Sequence, residues 1–332
     1  MAERLLGLLE TALAARAGLF DEQHERALRL FNGFYEGEPN LVVDLYARTL
    51  VLNNYADAPA TVQPDVQAAL DFLCQRLPWV RSAVLKTRHA TDDAGRRGVV
   101  LRGQTLDQRI REHGVWYAID LLLNRDASFY LDTRNLRRWA IDHLAGQTVL
   151  NTFAYTGSLG VAAMAGKAKR VVQIDHNRAF LNLARTSYSL NGFPSDKAGF
   201  RTGDFFAQVS GMKHSGERFD CVMVDPPFFS TGSRGRVDLV HESQRVINKV
   251  RPLINDGGWL VTINNALFVS GADYMRTLEA LCADGYLSIE QLVPVPPDIA
   301  AYPQSRVNQP PTDPAPFNHP TKIAILRVRR KS

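Results

Sequence analysis

The fold of this 332-residue chain is decided by VLNTFAYTG at residues 149–157 and VVQID at residues 171–175. The order along the chain is an apolar run, a glycine turn, small residues with helical spacing, and a second apolar run that ends in an acid. This order predicts a strand, a helix and a parallel strand, with Asp175 where a carboxylate accepts hydrogen bonds from the ribose of a nucleoside cofactor. The stretch therefore predicts an α/β fold with a cofactor site at one edge of a parallel sheet.

Helices and strands alternate along the chain from about residue 130, as they do in a parallel sheet covered by helices on both faces. The predicted strands are 148–152, 170–174, a short one near 200, 219–224, 259–263, 286–293 and 322–328. The predicted helices are 135–144, 158–165, 178–190, 239–253 and 272–283. A Rossmann-like α/β domain is therefore predicted over residues 125–332.

The N-terminal third has a different pattern. Residues 5–30 have helical spacing, and they define an N-terminal helical segment over 1–30. Two hairpins, at 41–55 and 110–120, flank a helix at 62–77 and a strand at 80–86, which predicts a small α+β domain over 31–124 and makes it a candidate for binding substrate or RNA. Residues 294–320 hold nine of the 17 prolines, so a loop ordered against the site is predicted there.

Composition excludes several classes of protein. No apolar run approaches the ~20 residues that span a bilayer, and the N-terminus lacks the apolar core of a signal peptide, so a cytoplasmic location is predicted. The three cysteines are widely spaced, which argues against a disulfide framework and a metal site. The formal net charge of +5 fits a polyanionic partner, although solvated basic faces explain it equally well.

The glycine pattern narrows the choice of cofactor. Gly157 and Gly160 form only G-x-x-G, without the further glycine that a dinucleotide pyrophosphate needs, so S-adenosylmethionine (SAM) is favoured over NAD. Asp204, after the third strand, is predicted to accept the adenine amino proton, while the ring of Phe205 packs on the adenine. Taken alone, Gly157 is a turn and Asp175 is a helix cap, but strand ends in sequence order favour a site.

The stretch before the first helix of this domain has two compatible interpretations. Either Asp132 or Thr133 caps the helix, or Asp132 and Arg134 pair with the amino and carboxylate groups of the methionine end of SAM. The full predicted cofactor set is Phe129, Asp132, Arg134, Asn151, Phe153, Tyr155, Thr156, Gly157, Asp175, His176, Asp204, Phe205 and Asp225.

The strand at 219–224 ends in Asp225-Pro226-Pro227-Phe228, the most specific motif of the chain. Prolines cannot donate backbone hydrogen bonds, so their carbonyls and the Asp225 carboxylate offer acceptors to a planar N–H donor, and Phe228 offers a stacking face. The alternative is that the two prolines simply end the strand. The predicted catalytic set is Asp225, Pro226, Pro227, Phe228 and Asn265.

The order of these motifs resembles the class I SAM-dependent methyltransferases of 23S ribosomal RNA, in the branches that form 5-methylcytosine or 7-methylguanine. The resemblance runs from about residue 31 to the C-terminus, includes GEPNLVVD at 37–44, and implies a seven-stranded sheet, SAM as cofactor and RNA as partner. It is carried by Tyr130-Leu131-Asp132-x-Arg134, Asn151-x-Phe153-x-Tyr155-Thr156-Gly157, Asp175, Asn191-Gly192 and Asp225-Pro226-Pro227-x-Phe229.

Two departures from that family matter. The ~30 residues before residue 31 are too few for the RNA-binding PUA module that many members carry, and the place of the 5-methylcytosine cysteine reads TINNA at 262–266. Cytosine C5 needs a thiolate at C6, so 5-methylcytosine formation is disfavoured and N-methylation of a base, with a purine favoured, is predicted. Asn264 and Asn265 resemble the asparagine pair of the 7-methylguanine branch. The predicted substrate set is Phe229, Arg234, Arg236, Asn264 and His319.

Other functions stay open from the sequence alone. A SAM-dependent N-methyltransferase of a protein side chain or small molecule fits the Asp-Pro-Pro motif equally well. A nicotinamide-dependent oxidoreductase is disfavoured by the missing glycine, and a catalytically silent RNA-binding protein by the intact acids at the strand ends. The target nucleotide and atom, and whether the chain is a monomer or a homodimer, are not fixed by the sequence.

Overall fold

A computed structural model describes residues 2–227, 229–232, 235–238, 243–309, 312 and 314–330, with only the backbone of 2, 229–232 and 235–238. The chain forms two compact units. The first comprises Met1–Leu131 and Pro296–Pro310, and the second comprises Asp132–Val295 and Pro311–Ser332. No helix in the described ranges has the length and apolar character needed to cross a membrane.

The first unit is built on a five-stranded sheet in the order β1-β2-β3-β4-β5, in which only β3 and β4 are parallel. Its strands are β1 (Ala27–Asn32), β2 (Leu41–Tyr46), β3 (Thr49–Asn54), β4 (Ser82–Thr87) and β5 (Val99–Arg102), and β6 (Arg109–Glu112) and β7 (Val115–Ala118) form a separate hairpin. Its α-helices are α1 (Ala2–Arg16), α2 (Gly33–Glu36), α3 (Gln63–Arg76), α4 (Asp93–Arg97) and, in the returning segment, α11 (Pro297–Ala300). The apolar faces of α1 and α3 share one core with the sheet.

The prediction of a single helix over 5–30 was wrong beyond Arg16. Residues 27–32 form β1 instead, because Arg29 pairs with Asp44 of the neighbouring β2 at 2.7 Å and the apolar residues around it enter the sheet core. Tertiary pairing therefore overrides a local helical pattern here.

The segment Pro296–Pro310 is tied into the first unit by a buried ionic network. The guanidinium of Arg16 is fully buried and donates to both carboxylate oxygens of Glu36, at 2.8 and 3.0 Å, and to the carbonyl of Asp298 at 2.9 Å. Ser305 also donates to Glu36, and the Asp298 carboxylate accepts from the backbone N–H of Arg29 at 3.0 Å. Each buried charge thus has charged or polar partners, which is the condition for tolerating it.

The second unit contains a seven-stranded sheet in the order β10-β9-β8-β11-β14-β16-β15. Its main strands are β8 (Thr148–Thr152), β9 (Arg170–Asp175), β10 (Phe200–Thr202), β11 (Phe219–Val224), β14 (Ile254–Asn264), β15 (Leu287–Val293) and β16 (Lys322–Val328), and β12 (Phe229–Gly232) and β13 (Gly235–Asp238) form a separate hairpin. Its helices are α5 (Arg134–His143), α6 (Ser158–Ala165), α7 (Arg178–Leu190), α8 (Phe205–His214), α9 (Ser243–Val250) and α10 (Gly271–Cys282).

All neighbouring strands from β10 to β14 are parallel, and β16 is antiparallel to both of its neighbours. Apolar clusters cover both faces of the sheet. The predicted Rossmann-like α/β fold is therefore confirmed. The structure differs locally from the prediction in three elements. Helix α8 was not predicted, and β14 begins five residues earlier than predicted, at Ile254. The helix predicted over 239–253 ends at Val250, before a 3-10 turn at Arg251–Leu253.

Candidate active site

The carboxyl ends of the central strands lie level with one another. Thr152 of β8 pairs with Ile174 of β9 and with Val224 of β11. The next residues along the outer strands are Asp175 and Asp225, so these two acids flank β8 about 10 Å apart, given ~4.8 Å between strands. The strand order reverses between β8 and β11, and in open α/β sheets ligands bind beyond the carboxyl ends at such a switch point.

The turn after β8 has an unusual backbone. Phe153, Tyr155 and Gly157 have φ values of 54°, 50° and 77°, so alternate residues are left-handed. Two hydrogen bonds of 2.8 Å hold the turn against β9: the N–H of Ala154 donates to the carbonyl of Ile174, and the N–H of Tyr155 donates to the Asp175 carboxylate. Non-glycine residues in this region are costly and cluster at binding sites, which supports a ligand-binding role for the turn.

Asp175 is buried, with 8% of its surface exposed, and each of its oxygens accepts one backbone hydrogen bond. One oxygen accepts from Tyr155 and the other from the N–H of Asn177, both at 2.8 Å. Burial raises the pKa of this carboxyl, while the two backbone hydrogen bonds and His176 lower it. The cap of α7 is Asn177, whose side chain accepts from Ala179, so Asp175 is not the helix cap. Each Asp175 oxygen keeps a lone pair for a further donor.

The two glycines of this turn make room for a buried glutamine. A Cβ at Gly157 or Gly160 would lie 2.5–2.6 Å from side-chain atoms of Gln173 on β9. Gln173 accepts from the Asn151 amide at 3.2 Å and donates to the hydroxyl of Tyr188 at 3.4 Å, which fixes it at both ends. The sequence predicted that the glycine turn admits the ligand. The structure ties both glycines, and Asn151, to close packing of α6 against the sheet, and a contact of Gly157 or Asn151 with the ligand stays a prediction.

A Gly160→Ala substitution is therefore expected to lower the free energy of unfolding by about 1–3 kcal/mol, because the new methyl group collides with the pinned Gln173. The matched control is Gly211→Ala in α8, where nothing lies within 4 Å of the added Cβ. That change is expected to raise the free energy of unfolding by about 0.4–1 kcal/mol. Urea denaturation of both variants measures the difference, and equal effects at the two positions would contradict the packing role of Gly160.

The residues after β10 combine a helix cap with an aromatic pair. Asp204 caps α8 and accepts from the N–H of Ala207 at 3.0 Å. Phe205 is buried in the core, and its ring stacks on Phe153 with 4.4 Å between centroids. Phe153 is the more exposed of the two rings. The ring nearer to solvent at this edge is therefore Phe153.

Asp132 and Thr133 precede α5, and neither side chain caps it. The Asp132 carboxylate instead accepts from the hydroxyl of Thr321 at 2.7 Å, and the Thr133 hydroxyl accepts from Arg137 at 2.7 Å. Thr321 immediately precedes β16, so the last strand fixes the position of Asp132. Arg134, the first residue of α5, is half-buried.

Asp225 has the most perturbed carboxyl of this edge. Burial, followed by the negative charge of Asp132, raises its pKa to about 7. A buried carboxyl whose ionisation is opposed by a neighbouring negative charge forms a site that a cation stabilises. The positively charged sulfonium and ammonium groups of SAM meet that requirement, so these residues fit the cofactor that the sequence predicted.

Asn264 and Asn265 follow β14 beside the Asp-Pro-Pro motif. The Asn264 side chain is buried and accepts from the N–H of Ala266 at 3.0 Å. The Asn265 amide donates to the carbonyl of Pro226 at 3.4 Å, while its own buried oxygen has no hydrogen-bond partner within the described part of the chain. An orphaned buried acceptor beside the motif is a position where a ligand N–H group would be satisfied.

The remaining predicted residues are distributed more widely. Phe129 belongs to the first unit, where its ring lies 5.0 Å from that of Tyr117. Thr156 is buried, His176 is largely exposed 3.5 Å from Asp175, and His319 accepts from the N–H of Thr321 at 3.1 Å. Phe228 and Arg234 lie outside the described residues. Phe229 and Arg236 lie in β12 and β13, of which only the backbone is described.

None of the three cysteines has an activated thiol. Burial raises the pKa of Cys74, Cys221 and Cys282, and Cys221 is completely buried within β11, four residues before Asp225. Among the described residues, no group of three or more His, Cys, Asp or Glu side chains is placed to hold a metal ion.

Three residues that the sequence did not single out support this site. Gln173 shapes the glycine turn, Thr321 holds Asp132, and Lys322 donates to the carbonyls of Ala266 and Val269 at 3.0 and 2.9 Å. A glutamine within the apolar run VVQID was a signal for the first. Nothing local marked the other two, because their partners are distant in sequence.

Comparisons with known proteins identify a family and a fold for this chain. The model of the S-adenosylmethionine-dependent methyltransferase family matches residues 41–305. "Ribosomal RNA large subunit methyltransferase I" from Photobacterium profundum is 28% identical over 85% of this chain and 70% of its own length. The protein of that name from Aeromonas hydrophila is 30% identical over 84% of this chain and 70% of its own length. A solved structure from Streptococcus mutans, named as a SAM-dependent methyltransferase, covers 98% of this chain and 81% of its own, with a TM-score of 0.82 and 20% identity.

Proposed function

Because the chain belongs to the S-adenosylmethionine-dependent methyltransferase family, we propose that it methylates a nitrogen of a base in RNA, with a purine of ribosomal RNA as the favoured target. The single observation that carries the choice of a nitrogen is the pair of acceptors after β11 and β14, the Pro226 carbonyl and the orphaned Asn265 oxygen, which we call the transfer edge. Cys221, the cysteine of β11, is completely buried, and burial raises the pKa of its thiol.

The cofactor-binding roles follow from the strand ends. When bound, SAM supplies a methyl group on a positively charged sulfur. Asp175 would accept hydrogen bonds from the ribose hydroxyls, and Asp204 and Phe153 would lie at the adenine. Asp132 and Asp225 would stabilise the positive charges of the methionine end, with Arg134 as the partner of its carboxylate. The roles of Asp132 and Asp225 depend on the negative charges at this edge, where burial and the charge of Asp132 already raise the pKa of Asp225.

The transfer edge favours an atom that is already nucleophilic. A ring nitrogen has its own lone pair and needs only alignment with the methyl donor, so proximity and orientation supply most of the rate. The Pro226 carbonyl and the Asn265 oxygen would accept hydrogen bonds from N–H groups of the base and orient it. Methylation of cytosine C5 requires a thiolate at C6, and a completely buried Cys221 does not provide one.

RNA as the substrate rests on two lines of support. The relatives with 28–30% identity are named as methyltransferases of the large-subunit ribosomal RNA. The net charge of +5 also suits a polyanion.

The test is methyl transfer from tritiated SAM to unmodified large-subunit ribosomal RNA transcribed in vitro, followed by nucleoside analysis. Label in an N-methylated purine is the expected result. Label in 5-methylcytidine would overturn the assignment to nitrogen, and absence of label in RNA would overturn RNA as substrate.

A second candidate is N-methylation of a protein side-chain amide. The same two acceptors, the Pro226 carbonyl and the Asn265 oxygen, would bind the N–H groups of a glutamine amide as well as those of a base. Label that appears in the protein fraction of a ribosomal extract, and not in its RNA, would select this function.

A further inference from the structure

An exposed apolar turn follows the transfer edge directly. The N–H of Val269 donates to the carbonyl of Ala266 at 3.3 Å, which closes a turn with Leu267 and Phe268 at its tip. These side chains are 73% and 82% exposed, and Phe268 is the most exposed large hydrophobic residue among those described. Single exposed apolar residues are ordinary, but two at the tip of one closed turn beside a candidate site indicate binding.

The turn is held in place by a buried lysine. Lys322 is 2% exposed, and its ammonium donates to the carbonyls of Ala266, Val269 and Pro320. Two of these carbonyls bracket the exposed pair. All three N–H groups of the ammonium are therefore used to fix the base of the turn, so Phe268 is presented on a rigid support and loses little freedom on binding.

Phe268 also forms one wall of a cavity between the N-termini of α9 and α10. The cavity has a volume of about 430 Å³, within the ~300–1,000 Å³ range of small-ligand sites. Ser243, Gln244 and Thr277 line it with neutral donors and acceptors, and the charge of Asp273 is matched there by its partner Arg276. One aromatic wall and several neutral polar groups suit a flat, uncharged group with hydrogen-bonding edges.

The cavity lies close to the transfer edge. Phe268 is three residues after Asn265, whose amide contacts Pro226, so their Cα atoms are at most about 11 Å apart. A polynucleotide whose target base reaches Asn265 therefore has a neighbouring nucleotide within reach of Phe268.

We propose that Phe268 stacks on an unpaired base next to the target nucleotide, and that Gln244 and Thr277 hydrogen-bond to the edge of that base. This inference rests on the proposed RNA substrate and adds a subsite for single-stranded RNA. Base stacking on aromatic side chains is sequence-tolerant, while the amide and hydroxyl groups give a preference among bases.

The test compares the affinities of four proteins for a short fluorescein-labelled single-stranded RNA of mixed sequence, measured by fluorescence anisotropy. Phe268→Ala is expected to bind about 5- to 150-fold more weakly than the wild type, the usual cost of losing one stacked base. Phe268→Trp keeps a stacking face and is expected to bind like the wild type. Val307→Ala is the matched control and is expected to bind like the wild type, since Val307 is an exposed apolar residue without a ring that lies outside this turn.

The same proteins are then measured with duplex RNA, in which no base is free to stack, and with SAM by calorimetry. The loss in Phe268→Ala is expected on single strands alone, with SAM affinity unchanged. Equal binding by Phe268→Ala and wild type, or an equal loss on both RNAs, overturns the stacking subsite. A wild-type protein that binds neither RNA overturns the proposed function, and the subsite with it.

Discussion

Methyl transfer by an Asp225→Asn variant is expected to be about 10²–10³-fold slower in kcat/KM than by the wild type, the usual cost of removing one fixed electrostatic contact. The substitution keeps the shape of the side chain but removes the negative charge that is proposed to face the cationic methyl donor. Initial rates with tritiated SAM measure the effect. Glu279→Gln, the same charge change at an exposed residue of α10, is the matched control and is expected to leave kcat/KM unchanged.

The pH profile distinguishes a charge effect from a loss of shape. Burial and the charge of Asp132 raise the pKa of Asp225 to about 7, so the carboxyl is neutral below that pH. In the wild type kcat/KM, which reports the free enzyme, is expected to rise with pH through about 7. The profile of kcat should lie at lower pH, because the bound cation favours the carboxylate. If Asp225→Asn keeps the wild-type rise of kcat/KM near pH 7, Asp225 is not the group whose ionisation causes that rise.

The stability of the folded protein provides the control for misfolding. Its expected change with pH has the opposite sign to that of kcat/KM. Because the pKa of Asp225 is raised in the folded state, the native protein binds more protons, and stability falls as the pH rises from the unfolded pKa of ~3.9 through about 7. Asp225→Asn removes this cost and is expected to have a higher melting temperature than the wild type at pH 8. A variant that is more stable and nearly inactive would show that Asp225 is retained for function.

The parts of the fold that the sequence predicted well are those with local signals. The bounds of α6, α7, β11 and β16 agree with the prediction, because apolar period and turn residues mark both ends of each element. Residues 27–32 were misassigned, because their strand depends on pairing with β2 and not on their own pattern. Residues 205–214 were missed as a helix, although Asp204 is an ordinary helix cap.

The residues of the candidate site also divide into those with a local sequence signal and those whose contacts depend on distant parts of the chain. The location of Asp175, Asp204 and Asp225 at the ends of neighbouring strands was predictable, because parallel strands end at a common edge and position in sequence then predicts position in space. The contacts of Asp132 and of the Ala266–Val269 turn were not found. Both are made by Thr321 and Lys322, which reach the site only because β16 lies antiparallel beside β14. Supporting contacts of this kind depend on long-range topology.

Asp175→Ala is expected to weaken SAM binding by about 100-fold or more, since hydrogen bonds to a charged group contribute about 1.5–3 kcal/mol each and two ribose hydroxyls are proposed to use it. The substitution also releases the backbone N–H of Tyr155, so the turn after β8 loses one of its two anchors on β9. Isothermal titration calorimetry with SAM measures the loss. The matched control is Asn177→Ala, which removes the cap of α7 two residues away at a cost of about 1 kcal/mol in stability and is expected to bind SAM normally.

A cofactor analogue separates the two roles of Asp175. If the carboxylate binds the ribose, the wild type prefers SAH over its 2′-deoxy analogue, and Asp175→Ala binds both with nearly the same weak affinity. If Asp175 only holds the turn, the variant binds both ligands more weakly by the same factor, and the preference for the hydroxyl persists. Only the first result is compatible with a direct contact, because removal of a hydrogen-bond acceptor abolishes the discrimination that the acceptor provides.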